Sequence, residues 1–185
     1  MKKIALLTAL FFAFTTLVSA QMDMPKDKSK RPSPPASAEC KFADGKTIKV
    51  DYSSPRAKGR KIFGAASDQA LVPFGEIWRT GANEATTLVT GASVTVGGKA
   101  VPAGSYTIFT IPKADAWTLV ISKKTGEWGT DYPGEGEDLA RVPMSASKTS
   151  APVENFTIAF DQAAGKCTLR MEWENTRASV EIAEK

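Results

Sequence analysis

The stretch SVTVGGKAVPAGSYTIFTIP, residues 93–112, decides the fold. Val94 and Val96 alternate with polar neighbours, Gly97-Gly98 closes a turn, and the returning strand ends at Val101, which is the pattern of a β-hairpin. Pro102-Ala103-Gly104 then breaks the chain before Tyr106 to Ile111, and Trp117, Leu119 and Ile121 alternate in the next strand. On the N-terminal side, Phe42 and then Ile48, Val50 and Tyr52 flank Asp44-Gly45, a hairpin signal when both central residues tolerate positive φ. Further on, Thr157 to Phe160, Cys167 to Trp173 and Ala178 to Ile182 complete roughly nine short strands. Helical periodicity is nearly absent. The expectation is an all-β fold, a single antiparallel β-sandwich or flattened barrel.

Two segments break the alternation. Residues 53–84 form a long connection containing SSPRAKGRKIFG and GEIWRTGANE, and residues 123–138 form an acidic, Gly-rich loop, KKTGEWGTDYPGEGED. Long loops in compact domains are usually functional or disordered. The first carries Ile62, Phe63, Leu71, Val72, Phe74, Ile77 and Trp78, too much apolar surface to leave in water, so it is expected to pack down as an ordered lid.

Residues 1–20 read as a cleaved secretory signal peptide: basic Lys2 and Lys3, an apolar run from Ile4 to Val18, and small Ser19 and Ala20 before Gln21. The apolar run falls short of a spanning helix, so no transmembrane anchor is expected. Residues 21–38 are rich in Pro, Lys and Ser and are expected to be a flexible tail. That leaves 39–185 as one domain with one core. Of the 24 basic and 20 acidic residues, signal and tail hold six and two, so the expected domain carries 18 of each. A neutral domain argues against nucleic acid as a partner, because the basic patch that phosphate requires is missing from it.

Cys40 and Cys167 both follow the signal, and in an oxidising compartment an even count points to a disulfide. The alternative is two buried free thiols.

The stretches IFG (62–64), LVPFGEIWRTGANEATTL (71–88), VGGKAVPAGSYTIFTIP (96–112) and WTLVISKKTGEWG (117–129) resemble the domain of unknown function 2911 family across most of residues 39–182. The resemblance implies an exported bacterial β-rich domain. It implies no reaction, ligand or catalytic residue.

The chain has no histidine. That removes a Ser-His-Asp triad, a His-based zinc site and a His general base. Asp131, Glu135, Glu137 and Asp138 miss the spacing of a Ca²⁺ loop and read as a solvated acidic loop. Met22-x-Met24 is a lone thioether pair on a tail and reads as incidental, and Ser53 or Ser54 with Lys58 lacks the context of a nucleophile. No metal or cofactor is expected. For GEIWRTGANE two readings stand. In one, Arg79 pairs with Glu84, Asn83 bonds loop backbone and Trp78 anchors the lid. In the other, Arg56, Lys58, Arg60 and Arg79 act as donors beside Trp78, with Asn83 and Glu84, and bind a small sugar or anion. The function expected is a non-enzymatic binding or accessory domain acting on such a ligand or on another envelope protein. The alternatives are a glycan hydrolase using Glu76 and Glu84, or a purely structural envelope protein.

Overall fold

The alternating runs become strands in a computed structural model that describes residues 27–129, 131–163 and 165–185. The strands are β1 (Pro35–Lys41), β2 (Thr47–Ser53), β3 (Phe63–Gly64), β4 (Val72–Pro73), β5 (Thr86–Thr90), β6 (Val94–Val96), β7 (Lys99–Val101), β8 (Gly104–Ile111), β9 (Ala116–Ser122), β10 (Asp138–Ala163) and β11 (Lys166–Glu184). Nine of them form one antiparallel sheet in the order β1-β2-β5-β8-β9-β10-β11-β6-β7, and β3 and β4 make a separate parallel pair inside the long connection. The expected signal peptide, and residues 21–26 with Met22 and Met24, lie outside the described residues.

The Gly97-Gly98 turn is as read: Val96 pairs with Lys99, and both glycines have positive φ. The Asp44-Gly45 turn is not. Phe42 N–H donates to Lys46 O at 2.8 Å and Gly45 N–H to Phe42 O at 3.1 Å, so three residues form the loop and Gly45 alone sits at positive φ.

The final pair of strands also departs from the expectation of short strands. β10 runs for 26 residues and β11 for 19. The first part of β10 pairs with β9 and the rest with β11, with register shifts between Lys148 and Val153 and between Val153 and Thr157. Such bulges bend a strand. The bend carries the far part of the ribbon over β1 and β2, where the Ile158 N–H donates to the Tyr52 hydroxyl at 3.0 Å and Gln162 Nε2 donates to Lys41 O at 2.6 Å. The sheet thus folds on itself around Ile48, Val50, Leu88, Ile108, Leu119 and Ile121 on one side and Ile158, Leu169 and Met171 on the other, all buried. Cys40 and Cys167 form a disulfide across this core, joining β1 to a strand it does not pair with.

The lid reading holds for most of its apolar residues. Ile62, Phe63, Val72 and Trp78 are buried, whereas Leu71 and Phe74 remain exposed. The acidic loop folds against the outer face of the sheet, where Tyr132 packs on Phe109. Two of its carboxylates are engaged by protein: Asp138 accepts from Tyr132 at 2.8 Å and Arg141 at 2.7 Å, and Glu135 pairs with Arg141 at 3.1 Å.

The expected tail needs a correction. The fold begins before Glu39, because Pro35 to Ala38 already pair with β2 and the residues before them contact the sheet. The segment is poor in apolar residues because it is held by polar bonds. Asn83 Nδ2 donates to Ser33 O at 3.0 Å, Ser54 N–H donates to Pro34 O at 2.9 Å, and Arg31 reaches Glu84.

Candidate functional site

Polar side chains crowd GEIWRTGANEATT because this loop makes a tight excursion and must bond to itself. Trp78 exchanges both backbone hydrogen bonds with Thr110 of β8, at 2.8 and 2.9 Å, and its Nε1 donates to Gly81 O at 3.1 Å. Thr86 Oγ1 donates to Thr80 O at 2.6 Å, and Thr80 Oγ1 to Thr110 Oγ1 at 3.1 Å. Thr80 and Asn83 both adopt positive φ. Asn tolerates that region, but a β-branched residue there is strained and must be held by its surroundings. Gly81 lies so close to β2 that a Cβ on it would sit 2.9 Å from Ser53 O.

This geometry makes Asn83 and Glu84 a junction. On one side they meet the N-terminal segment. On the other, Gly129 N–H donates to Asn83 O at 3.0 Å, Ala85 N–H donates to Glu127 O at 3.0 Å, and Glu84 forms a bridge with Trp128. Between the two lies a cleft of about 300 Å³ on the outer side of β2 and β5, lined by Lys28, Arg31 and Pro35 of the N-terminal segment, Asp51 and Thr87 of the paired strands, Ser53, Glu84, and Gly126 and Glu127 of the acidic loop. Lys28 Nζ is 3.0 Å from Glu84 Oε1, and Arg31 Nη1 donates to both Glu84 oxygens at 3.1 and 3.2 Å. Burial pushes the Glu84 carboxyl up, but its own backbone N–H, Lys28 and Arg31 together outweigh this and hold it at about 2.

The Arg31 and Glu127 side chains are each 11% exposed. Arg31 Nε is buried with no hydrogen-bond partner among the described residues. Among the described residues, the cation within 4.0 Å of Glu127 is Lys124, at 3.8 Å.

The seven residues singled out as a ligand surface do not come together. Trp78 is in the core, stacked on Trp173 at 5.7 Å and edge-on to Phe156 at 4.9 Å, so it offers no open wall. Arg60 lines a second hollow of about 260 Å³ with Glu154 and Glu174, and its guanidinium donates to Ala57 O and Arg56 O. Arg56 and Lys58 are exposed near it, and the Lys58 backbone N–H donates to Glu154 at 3.0 Å. Asn83 serves the junction, and only Glu84 lines the main cleft. Arg79 does not pair with Glu84. Its guanidinium lies beside Gly129, burial pulls its pKa down, and no carboxylate among the described residues is within 4.0 Å of it. Ser53 accepts from Asn83 Nδ2 at 3.2 Å instead of facing Lys58. Glu76 is exposed and lines neither hollow; the carboxylates that line the main cleft with Glu84 are Asp51 and Glu127. Lys28, Arg31, Asp51 and Glu127 carried no sequence signal as a set, because three distant segments bring them together.

Residues 33–182 match the family described as "Protein of unknown function (DUF2911)". The chain belongs to this family. The match starts inside the segment read as a tail and covers the sheet, the lid and the acidic loop, so the DUF2911 unit includes Asp51, Glu84 and Glu127 but not Lys28 or Arg31. No curated protein and no solved structure matches the chain.

Proposed function

We propose that this DUF2911 protein is an exported, non-enzymatic binding or accessory domain of the periplasm or cell envelope, and that a small polar ligand occupies the cleft beside Glu84. One observation carries the reading: Arg31 and Glu127, both largely removed from water, line a cleft of about 300 Å³, at the low end of ligand sites. Withdrawing charge from solvent costs free energy unless something compensates, and a ligand's polar groups in the cleft would supply that compensation. The lining offers donors from Lys28 and hydroxyls from Ser53 and Thr87 together with carboxylate acceptors, which suits a hydroxyl-bearing ligand of the sugar type. Three carboxylates against two cations make it a poorer host for an anion. Export is supported by the leader pattern and by the disulfide, a bond of oxidising compartments.

Hydrolysis is the weaker reading. A carboxyl held near 2 is ionised at neutral pH and cannot donate a proton to a leaving group, and Glu76 is not across the cleft from it. The test is ligand-observed NMR on the full exported chain with a panel of monosaccharides, small amines and small carboxylates. At least one compound should bind and should lose binding in Thr87→Trp, which fills the cleft. A silent panel, or binding untouched by Thr87→Trp, would overturn the proposal.

A further inference from the structure

The head of the cleft already has an occupant. Arg31 and Lys28 come from a segment outside the DUF2911 match and place two cationic groups on Glu84, in the position a bound cation would take. The fit is incomplete. A guanidinium seated on a carboxylate makes its strongest contact with two parallel N–H donors, whereas Arg31 uses a single nitrogen, Nη1, for both oxygens and leaves Nε buried without a partner among the described residues. Glu127 lines the same cleft, 11% exposed, with Lys124 no closer than 3.8 Å. Asp51 adds a third carboxylate, paired at 2.8 Å with Lys49.

The segment carrying Arg31 is lightly attached. Its 3-10 turn, Lys28–Lys30, has no buried residue. Among the described residues, the other hydrogen bonds that tie it to the rest of the protein ahead of β1 are those from Asn83 Nδ2 to Ser33 O and from Ser54 N–H to Pro34 O. From Pro35 onward the chain is locked into the ladder with β2. No pair of the ladder between β1 and β2 involves a residue before Pro35.

Resting on the proposed role of this cleft, we infer that its ligand carries a guanidinium or primary ammonium group, and that residues 27–34 form a strap whose Arg31 and Lys28 stand in for that group until the ligand displaces them. Glu84 receives the cationic head and Glu127 takes the remaining donors, with Ser53 and Thr87 beside any hydroxyls. The strap reduces affinity, because each binding event must break the Lys28 and Arg31 pairs. It also excludes ligands that bring no cation to replace them.

The probe is agmatine, a guanidinium and an ammonium on one short chain, titrated by calorimetry into the full chain. Wild type should bind weakly, and Lys28→Ala/Arg31→Ala should bind about tenfold or more tightly. In that opened background Glu84→Gln and Glu127→Gln should each lose about tenfold or more. Lys28→Ala alone removes a side chain 60% exposed, which leaves the fold undisturbed, and should give a smaller gain. No gain on opening, or a gain that survives both Glu→Gln changes, would overturn the inference. If agmatine fails while a saccharide binds and Thr87→Trp blocks it, the cleft remains a ligand site and only the cationic class is lost; if nothing binds, both readings fall.

Discussion

Arg31 Nη1 sits 3.1 and 3.2 Å from the two oxygens of Glu84, a residue 53 positions away, and this contact takes the place of the Arg79–Glu84 pair in one of the two sequence readings. A double-mutant cycle separates the two pairs. Arg31→Ala and Glu84→Gln should be coupled by about 1 kcal/mol, the upper end for a partly exposed ion pair. Arg79→Ala and Glu84→Gln should add to within about 0.5 kcal/mol. Coupling between Arg79 and Glu84 larger than that between Arg31 and Glu84 would contradict the structure.

The same carboxylate gives a pH dependence with a defined sign. Glu84 titrates at about 2 in the folded protein against an ordinary 4.5, so the folded state binds the proton less readily than the unfolded chain. Its stabilising contribution is complete above pH 4.5 and is lost as pH falls toward 2. Because the side chain is 38% exposed, solvent screening keeps the effect modest. Between these pH values the Tm of wild type should fall more steeply than that of Glu84→Gln. Parallel curves would count against the grip of Lys28 and Arg31.

Trp78 contacts Phe63, Phe156 and Trp173 and is 7% exposed. Trp78→Ala should cost about 3 to 5 kcal/mol in denaturant unfolding, as large aromatic deletions in cores do. A platform exposed for ligand stacking would lose binding with little change in stability, and that result would return Trp78 to the surface.

Reduction should weaken the fold. The disulfide closes a separation of 127 residues, for which the chain-entropy relation gives about 4 to 5 kcal/mol. The denatured, unreduced protein should titrate no free thiol, and adding reductant should lower Tm. Two reactive thiols before reduction would refute the bond.

Where local chemistry decides conformation, the sequence was informative. Gly97-Gly98 specifies its own turn because both positions need φ that only glycine adopts freely, and the alternation of Ile48, Val50 and Tyr52 shows which face is buried. Asp44-Gly45 misled because the dipeptide does not fix the loop length. The first part of β10 was missed because its apolar positions, Val142 and Met144, sit among polar residues in a ribbon exposed on one side. The cleft was illegible for a different reason. Arg31 lies in a stretch with too little apolar content to predict folding, and neither its pairing with Glu84 nor the approach of Glu127 leaves a periodic trace. Among the residues named in advance, Glu84 and Asn83 were found at the junction, while Trp78 was found in the lid's anchor.

The cross-core bond between Cys40 and Cys167 also sets a timetable. A polypeptide emerges N-terminus first, from the ribosome or from an export channel, so Cys40 spends most of that passage without its mate. β1 and β2 can pair early, yet the ribbon that covers them follows only after seven intervening strands. Throughout that interval the thiol and one side of the young sheet are open to other molecules. With two cysteines among these 185 residues, no mispaired bond can form within them, so the hazard there is cross-linking to other molecules, and it ends when β10 and β11 fold across.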